Sequence, residues 1–229
     1  MATVPLAEQP RPLLIAHRGL HAAGAKENTI AAFEAALDVG VGMVELDVRR
    51  TADGALVIFH DPVCRREALD TISHAELCKL AGLEVPLLGE VLDWAAGRIA
   101  LDIELKEDGY VDEITELLNG YVAEGGELIV TSFTDPILAQ LPPEIRSGLI
   151  LSMTAIGAGT RAKSCNANAL VIQMKLVNEA VLADAQANEL DIYLWDFLAA
   201  KDGVYLSDPR IDGVITDDVQ GVLATRSSS

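Results

Sequence analysis

Basic residues are scarce: 17 Lys and Arg stand against 35 Asp and Glu in 229 residues, a formal net charge of -18. That field repels nucleic-acid backbones and anionic surfaces, so no nucleic acid is expected as a partner. Cysteine is scarcer still. Cys64, Cys78 and Cys165 stand far apart with no C-x-x-C spacing, which speaks against a disulfide frame or a zinc site and for reduced, incidental thiols. No apolar run approaches the roughly 18 residues of a membrane span. The stretch from Met1 to Arg11 lacks the basic start and apolar segment of a signal peptide, so a cytoplasmic chain without stable membrane association is expected. No linker rich in Pro, Gly or Ser divides the sequence, and a single domain over residues 1–229 follows, with a disordered tail at about 225–229.

What the chain does hold is a repeating alternation. Strand-like runs fall near Pro12–His17, Met43–Val48, Ile99–Leu105, Leu128–Ser132, Gly148–Leu151, Ala169–Gln173, Ile192–Trp195 and Gly213–Thr216. Helical patterns lie between them at Thr29–Val39, Leu87–Ala96, Val111–Val122 and Asn178–Asn188, and Ser73 with Glu76 forms a capping box that opens a shorter helix. Eight strands alternating with helices close most economically into a (β/α)8 TIM barrel, with an open doubly wound sheet as the alternative. Ala55–His60 breaks the pattern. It follows Thr51-Ala52-Asp53-Gly54 too closely for a crossover helix, so it predicts an antiparallel hairpin insertion after the second strand, with His60 roughly opposite Glu45.

Period-two reading sends Val44, Leu46 and Val48 to one face of the second strand and Glu45 and Asp47, about 7 Å apart, to the other. The next strand repeats the arrangement, aiming Asp102, Glu104 and Lys106 at the barrel axis. Carboxylates gathered in a low-dielectric interior repel one another, so a cation is the economical reading, and oxygen donors without thiols favour a hard ion. The alternative is a set of solvated rim charges paired with Lys106 or Arg49. His17 ends the first strand before a turn that Gly19 permits, and His60 ends the hairpin, so two imidazoles at one mouth could act as general acid and base. Arg18 and Lys106 supply a positive wall suited to phosphate oxygens.

In order, His17-Arg18-Gly19, Glu27-Asn28-Thr29, Glu45-Leu46-Asp47, His60-Asp61, Glu104-Leu105-Lys106, Ser132-Phe133, Trp195 and the closing Ile211-Asp212-Gly213-Val214-Ile215-Thr216-Asp217 resemble the glycerophosphodiester phosphodiesterase family. The resemblance implies a TIM-barrel phosphoric diester hydrolase of glycerol and lipid metabolism, releasing sn-glycerol 3-phosphate and an alcohol with one divalent cation, Mg²⁺ or Ca²⁺. It implies Glu45, Asp47 and Glu104 as metal ligands, His17 and His60 as catalytic acid and base, and Arg18, Lys106 and Trp195 as contacts of a small phosphodiester substrate. Glu27 would reach the metal or orient Arg18, Thr29 would cap a helix, and Lys175 is either a head-group contact or a surface lysine. The leaving alcohol and the oligomeric state stay open. Two departures from the family pattern stand out: Asp61–Glu90 is short, implying a reduced cap, and Trp195-Asp196-Phe197 brings a further carboxylate to the mouth. Three alternatives carry other chemistry: a phospholipase D-like activity on lysophospholipids, which would want an exposed apolar or basic lip not evident in the sequence; metal-assisted enolisation; and a non-catalytic phosphodiester-binding barrel.

Overall fold

The computed structural model describes residues 6–21 and 24–227. The chain starts on β1 (Leu13–Ala16), α1 (Ile30–Asp38) and β2 (Met43–Arg50). An insertion follows, built of β3 (Leu56–Ile58), the ribbon β4 (Val63–Cys64) and β5 (Glu67–Ala68), and α2 (His74–Ala81). Then come α3 (Leu88–Ala95), β6 (Ala100–Leu105), α4 (Val111–Ala123), β7 (Leu128–Ser132), α5 (Asp135–Leu138) and β8 (Ser147–Leu151). The remainder is α6 (Ala158–Ser164), β9 (Ala169–Gln173), α7 (Glu179–Ala187), β10 (Asp191–Trp195), α8 (Ala199–Asp202), β11 (Gly213–Thr216) and α9 (Val219–Ser227). The parallel strands run β1-β2-β6-β7-β8-β9-β10-β11, and pairing of β11 back onto β1 closes the circle. This is the (β/α)8 barrel that the alternation predicts, not the open sheet.

Local signals set the helix starts. The Thr29 hydroxyl accepts from Ala32 N, Asn178 accepts from Ala180 N and Val181 N, and Ser73 and Glu76 complete the expected capping box. Outward residues such as Leu46, Leu101 and Ile103 pack against Phe33, Leu88 and Ile114 of the surrounding helices. Each such buried side chain contributes about 1.5–3 kcal/mol. Inside the barrel, Leu13, Ile15, Met43, Ile129, Val171 and Tyr193 form an apolar plug at the lower end. The axis is therefore greasy below and, as the register shows, acidic above: Glu45 lies beside Asp102 and Asp47 beside Glu104.

Two expectations need correction. The hairpin pairs symmetrically about Asp53, with Val48 opposite Ile58, so its continuation brings His60 level with Leu46 rather than Glu45, one residue nearer the mouth. Phe59 N accordingly donates to Asp47 O at 2.9 Å. At the other end, Thr225–Ser227 belong to α9 and are not a loose tail, because Val219 and Val222 are buried and the Arg226 guanidinium reaches Pro12 O. Residues 228–229 of the expected tail and 1–5 of the amino-terminal stretch lie outside the described residues.

Candidate active site

Strand β1 ends at Ala16, and the chain turns at once: Gly19 N donates to Ala16 O, Arg18 has φ of 55° and Gly19 φ of 81°. A side chain at residue 19 would also meet the Ala32 backbone at 2.8 Å, so glycine is required on both counts. The turn delivers His17 and Arg18 onto the upper rim. Arg18 N donates to Glu45 Oε2 at 2.9 Å, its Nη1 to Glu27 Oε1 at 3.0 Å, and its Nε lies 3.1 Å from Asp47 Oδ2. Glu27 thus orients Arg18 and does not join the acid cluster.

The four inward carboxylates are almost wholly enclosed, at 4% exposure for Glu45, 0% for Asp47, 2% for Asp102 and 7% for Glu104. Oxygens of Glu45, Asp47 and Glu104 lie within 4.8 Å of one another. Lys106 Nζ bridges two of these acids, 2.8 Å from Asp47 and 2.5 Å from Glu104. Asn28, itself buried at φ of 56°, donates from Nδ2 to Asp47 Oδ2 at 2.7 Å, and Thr131 Oγ1 donates to Asp102 Oδ1 at 2.7 Å. Burial, reinforced by Asp47 and Glu104, pushes the Glu45 carboxyl well above its ordinary range. Burial likewise raises Glu104, and lifts Asp102 to about 7. Asp47 goes the other way: burial acts to raise it, but Lys106 and Arg18 outweigh that and hold it low. Lys106 is in turn raised against its burial by Glu104 and Asp47.

Charge counting tests whether a cation belongs here. Among the described residues the permanent cations against these four carboxylates are Arg18 and Lys106, which leaves two negative charges in excess when all four are ionised. Without an ion the cluster can relieve this only by keeping protons, which is what the upward shifts describe. A divalent ion held by Glu45, Asp47 and Glu104 would balance the excess, and the all-oxygen set suits a hard one.

Both expected imidazoles stand over this cluster. His17 Nδ1–H donates to Asp217 Oδ1 at 2.8 Å, and its Nε2 lies 4.0 Å from Glu45 Oε2. His60 Nδ1–H donates to Asp61 Oδ1 at 2.7 Å. Each ring is thus fixed in one tautomer with Nε2 left for the cavity, and hydrogen bonding from His17 holds Asp217 down to about 2. His21 Nε2 shares the same Asp217 oxygen at 3.2 Å. A cavity of about 120 Å³ is lined by His17, Arg18, Glu45, His60, Glu104 and Lys106, together with an aromatic wall. In that wall Phe133 meets Trp195 edge-on at 6.0 Å, and Trp195 Nε1 donates to Leu151 O at 3.2 Å.

All eight residues expected from the sequence therefore meet at one mouth. Asp102 joins them facing the axis as expected, and Asn28, Asp61, Thr131 and Asp217 join in roles that the sequence had not given them. The signal for Asp61 and Asp217 was their place beside a strand-end histidine or at the end of β11. Lys175 lies elsewhere, in a hollow of about 480 Å³ with Met153 and Ile156. Asp196 does stand near the mouth, at φ of 60°, accepting from Gln173 Nε2 at 3.3 Å.

The closed barrel thus gathers buried acids, two carboxylate-held imidazoles and two cations around a small cavity at its upper rim, an arrangement suited to hydrolysis of a phosphoric diester. The model of the glycerophosphoryl diester phosphodiesterase family matches residues 17–220, and the chain belongs to that family. A glycerophosphodiester phosphodiesterase of Caldanaerobacter subterraneus is 26% identical over 93% of this chain and 97% of its own length. One from Bacillus altitudinis is 32% identical over 62% of this chain and 67% of its own. A rat lysophospholipase D is 31% identical across 48% of this chain and 42% of that protein. Among solved structures, an Oleispira antarctica phosphodiesterase in complex with the product sn-glycerol-3-phosphate superposes with a TM-score of 0.79 at 23% identity, covering 94% of this chain and 97% of that one.

Proposed function

We propose that this chain hydrolyses glycerophosphodiesters to sn-glycerol 3-phosphate and an alcohol, depends on one divalent cation, and uses His17 and His60 as general acid and base. The observation that carries the reading is the pair of imidazoles, each tied through Nδ1 to its own aspartate, lining one cavity with three carboxylates whose oxygens lie within 4.8 Å. Arg18 and Lys106 hold phosphate oxygens, Arg18 being preset by Glu27 and by its backbone bond to Glu45. The Phe133 and Trp195 rings shield the glycerol end from water. One ring takes the proton of the attacking hydroxyl or water, and the other delivers a proton to the departing alkoxide. Because each ring has its own aspartate, the geometry suits either assignment. A divalent cation on Glu45, Asp47 and Glu104 supplies Lewis-acid polarisation of a phosphoryl oxygen when bound. We place the reaction in the cytoplasm, in keeping with three unbridged thiols.

A second substrate class is favoured by one observation. Met153 is 90% exposed and Ile156 89%, both on the loop after β8 at the upper face, where they offer a lysophospholipid chain an apolar surface beside, though not lining, the His17–His60 cavity. The test is release of glycerol 3-phosphate from glycerophosphocholine, beside choline release from lysophosphatidylcholine, with and without chelator and in His17→Ala and His60→Ala. Each substitution is expected to cost about 10²–10⁴-fold in kcat with the fold intact. Hydrolysis that survives chelation and both substitutions would overturn the mechanism.

A further inference from the structure

The insertion that carries His60 contains a second ligand cluster, independent of the barrel acids. His74 and Cys78 are one turn apart on α2 and therefore share a face. Gly82, at φ of 69°, ends the helix and turns the chain back, so that Glu84 and Val85 run alongside that face. Cys78 Sγ lies 3.3 Å from His74 Nε2, and donor atoms of His74, Cys78 and Glu84 all fall within 4.8 Å of one another. Two ligands of a tetrahedral zinc, one sulfur at about 2.3 Å and one nitrogen at about 2.1 Å, stand about 3.6 Å apart. The observed spacing is already close to that edge.

We infer that His74, Cys78 and Glu84 form a binding site for a borderline divalent transition ion, zinc foremost. This departs from the expectation that the thiols are incidental. The donor set is one nitrogen, one sulfur and one oxygen, and a thiolate with a carboxylate neutralises a dication completely. Val85 N–H points at Cys78 Sγ, 3.4 Å away, and such a donor stabilises a coordinated thiolate. His74 Nε2–H donates to Val85 O at 2.8 Å. On binding, the imidazole moves that proton to Nδ1 and stays neutral, the Cys78 thiol releases one proton to solvent, and Val85 O or a water is left for the fourth position. The clip would fasten α2 to a return segment that already edges β3, where Ile58 N donates to Pro86 O at 2.9 Å and Val57 bridges Leu87. It would thereby stiffen the arm that ends in His60.

Cobalt titration of the full chain, with Mg²⁺ in excess to occupy the barrel acids, tests this. A thiolate-to-cobalt charge-transfer band should rise in the near ultraviolet, saturate at one ion per chain and be displaced by zinc. Cys78→Ser should abolish the band, and Glu84→Gln, at an exposed position that cannot disturb the core, should weaken binding at least tenfold. Zinc should raise Tm in the parent protein and not in Cys78→Ser. Absence of the band, or a band undiminished in Cys78→Ser, overturns the site. The band reports sulfur ligation alone, so its failure is separable from a failure of the phosphodiesterase reading, which is followed by hydrolysis in Mg²⁺ and is expected to be unchanged in Cys78→Ser.

Discussion

Asp102→Asn gives the sharpest test of the acidic upper barrel. Burial, with help from Glu104 and Asp47, lifts the Asp102 carboxyl from 3.8 to about 7. A shift of roughly three units at about 1.36 kcal/mol each comes to about 4 kcal/mol. The sign follows from proton binding. As pH rises from about 4, the unfolded chain releases this proton first while the fold retains it, so the metal-free protein loses stability until pH passes about 7 and then levels off. Asparagine cannot ionise and keeps an acceptor for Thr131 Oγ1, but its amide N–H groups cost about 1–3 kcal/mol where they find no partner. The net expectation is a crossing. At pH 4.5 the variant is no more stable than the parent, whereas at pH 8 it gains roughly 1–3 kcal/mol, or roughly 2–12 °C in Tm for a chain of this size. Urea unfolding followed by Trp fluorescence in chelator at the two pH values measures it. Parallel pH profiles, or a variant less stable at both, would show that Asp102 is not a buried acid under strain.

Two further outcomes follow from the same geometry. Glu104→Gln should leave the barrel folded and weaken divalent-ion binding by more than the roughly 10–100-fold that loss of an outer partner costs, as read by calorimetry; unchanged affinity removes Glu104 from the ligand set. Gly19→Ala must place a methyl 2.8 Å from the Ala32 backbone at φ of 81°, so a stability loss of about 1–3 kcal/mol is expected. A fall in kcat should accompany it as His17 and Arg18 shift, and an unaltered Tm would refute the strained turn.

Much of this architecture is legible in the sequence because strands with one greasy and one acidic face announce themselves by period two. Val44-Glu45-Leu46-Asp47-Val48 and Leu101-Asp102-Ile103-Glu104-Leu105 both have that form, and both point as expected. What escaped the reading has physical reasons. The helices Asp135–Leu138 and Ala199–Asp202 are a single turn long and carry no repeat to detect. Asn28 and Asp217 act on Asp47 and His17 through space, across 19 and 200 residues of chain, which no local pattern encodes. The level of His60 is not set by alternation, because β3 ends at Ile58 and His60 lies two residues beyond its last ladder pair. Met153 and Ile156 read as ordinary apolar residues until the loop after β8 puts them in solvent.

Both imidazoles keep an edge in water, with side-chain exposures of 30% for His17 and 37% for His60, and Asp217 and Asp61 are more open still at 58% and 67%. In the acid–base cycle proposed for these two rings, a turnover would leave the base ring carrying a proton and the acid ring short of one, the reverse of the starting state. Since each ring borders bulk solvent on its aspartate side, the surplus proton can drain outward and the missing one be refilled from outside. On that mechanism the enzyme would reset between cycles without sending any proton through the enclosed carboxylates.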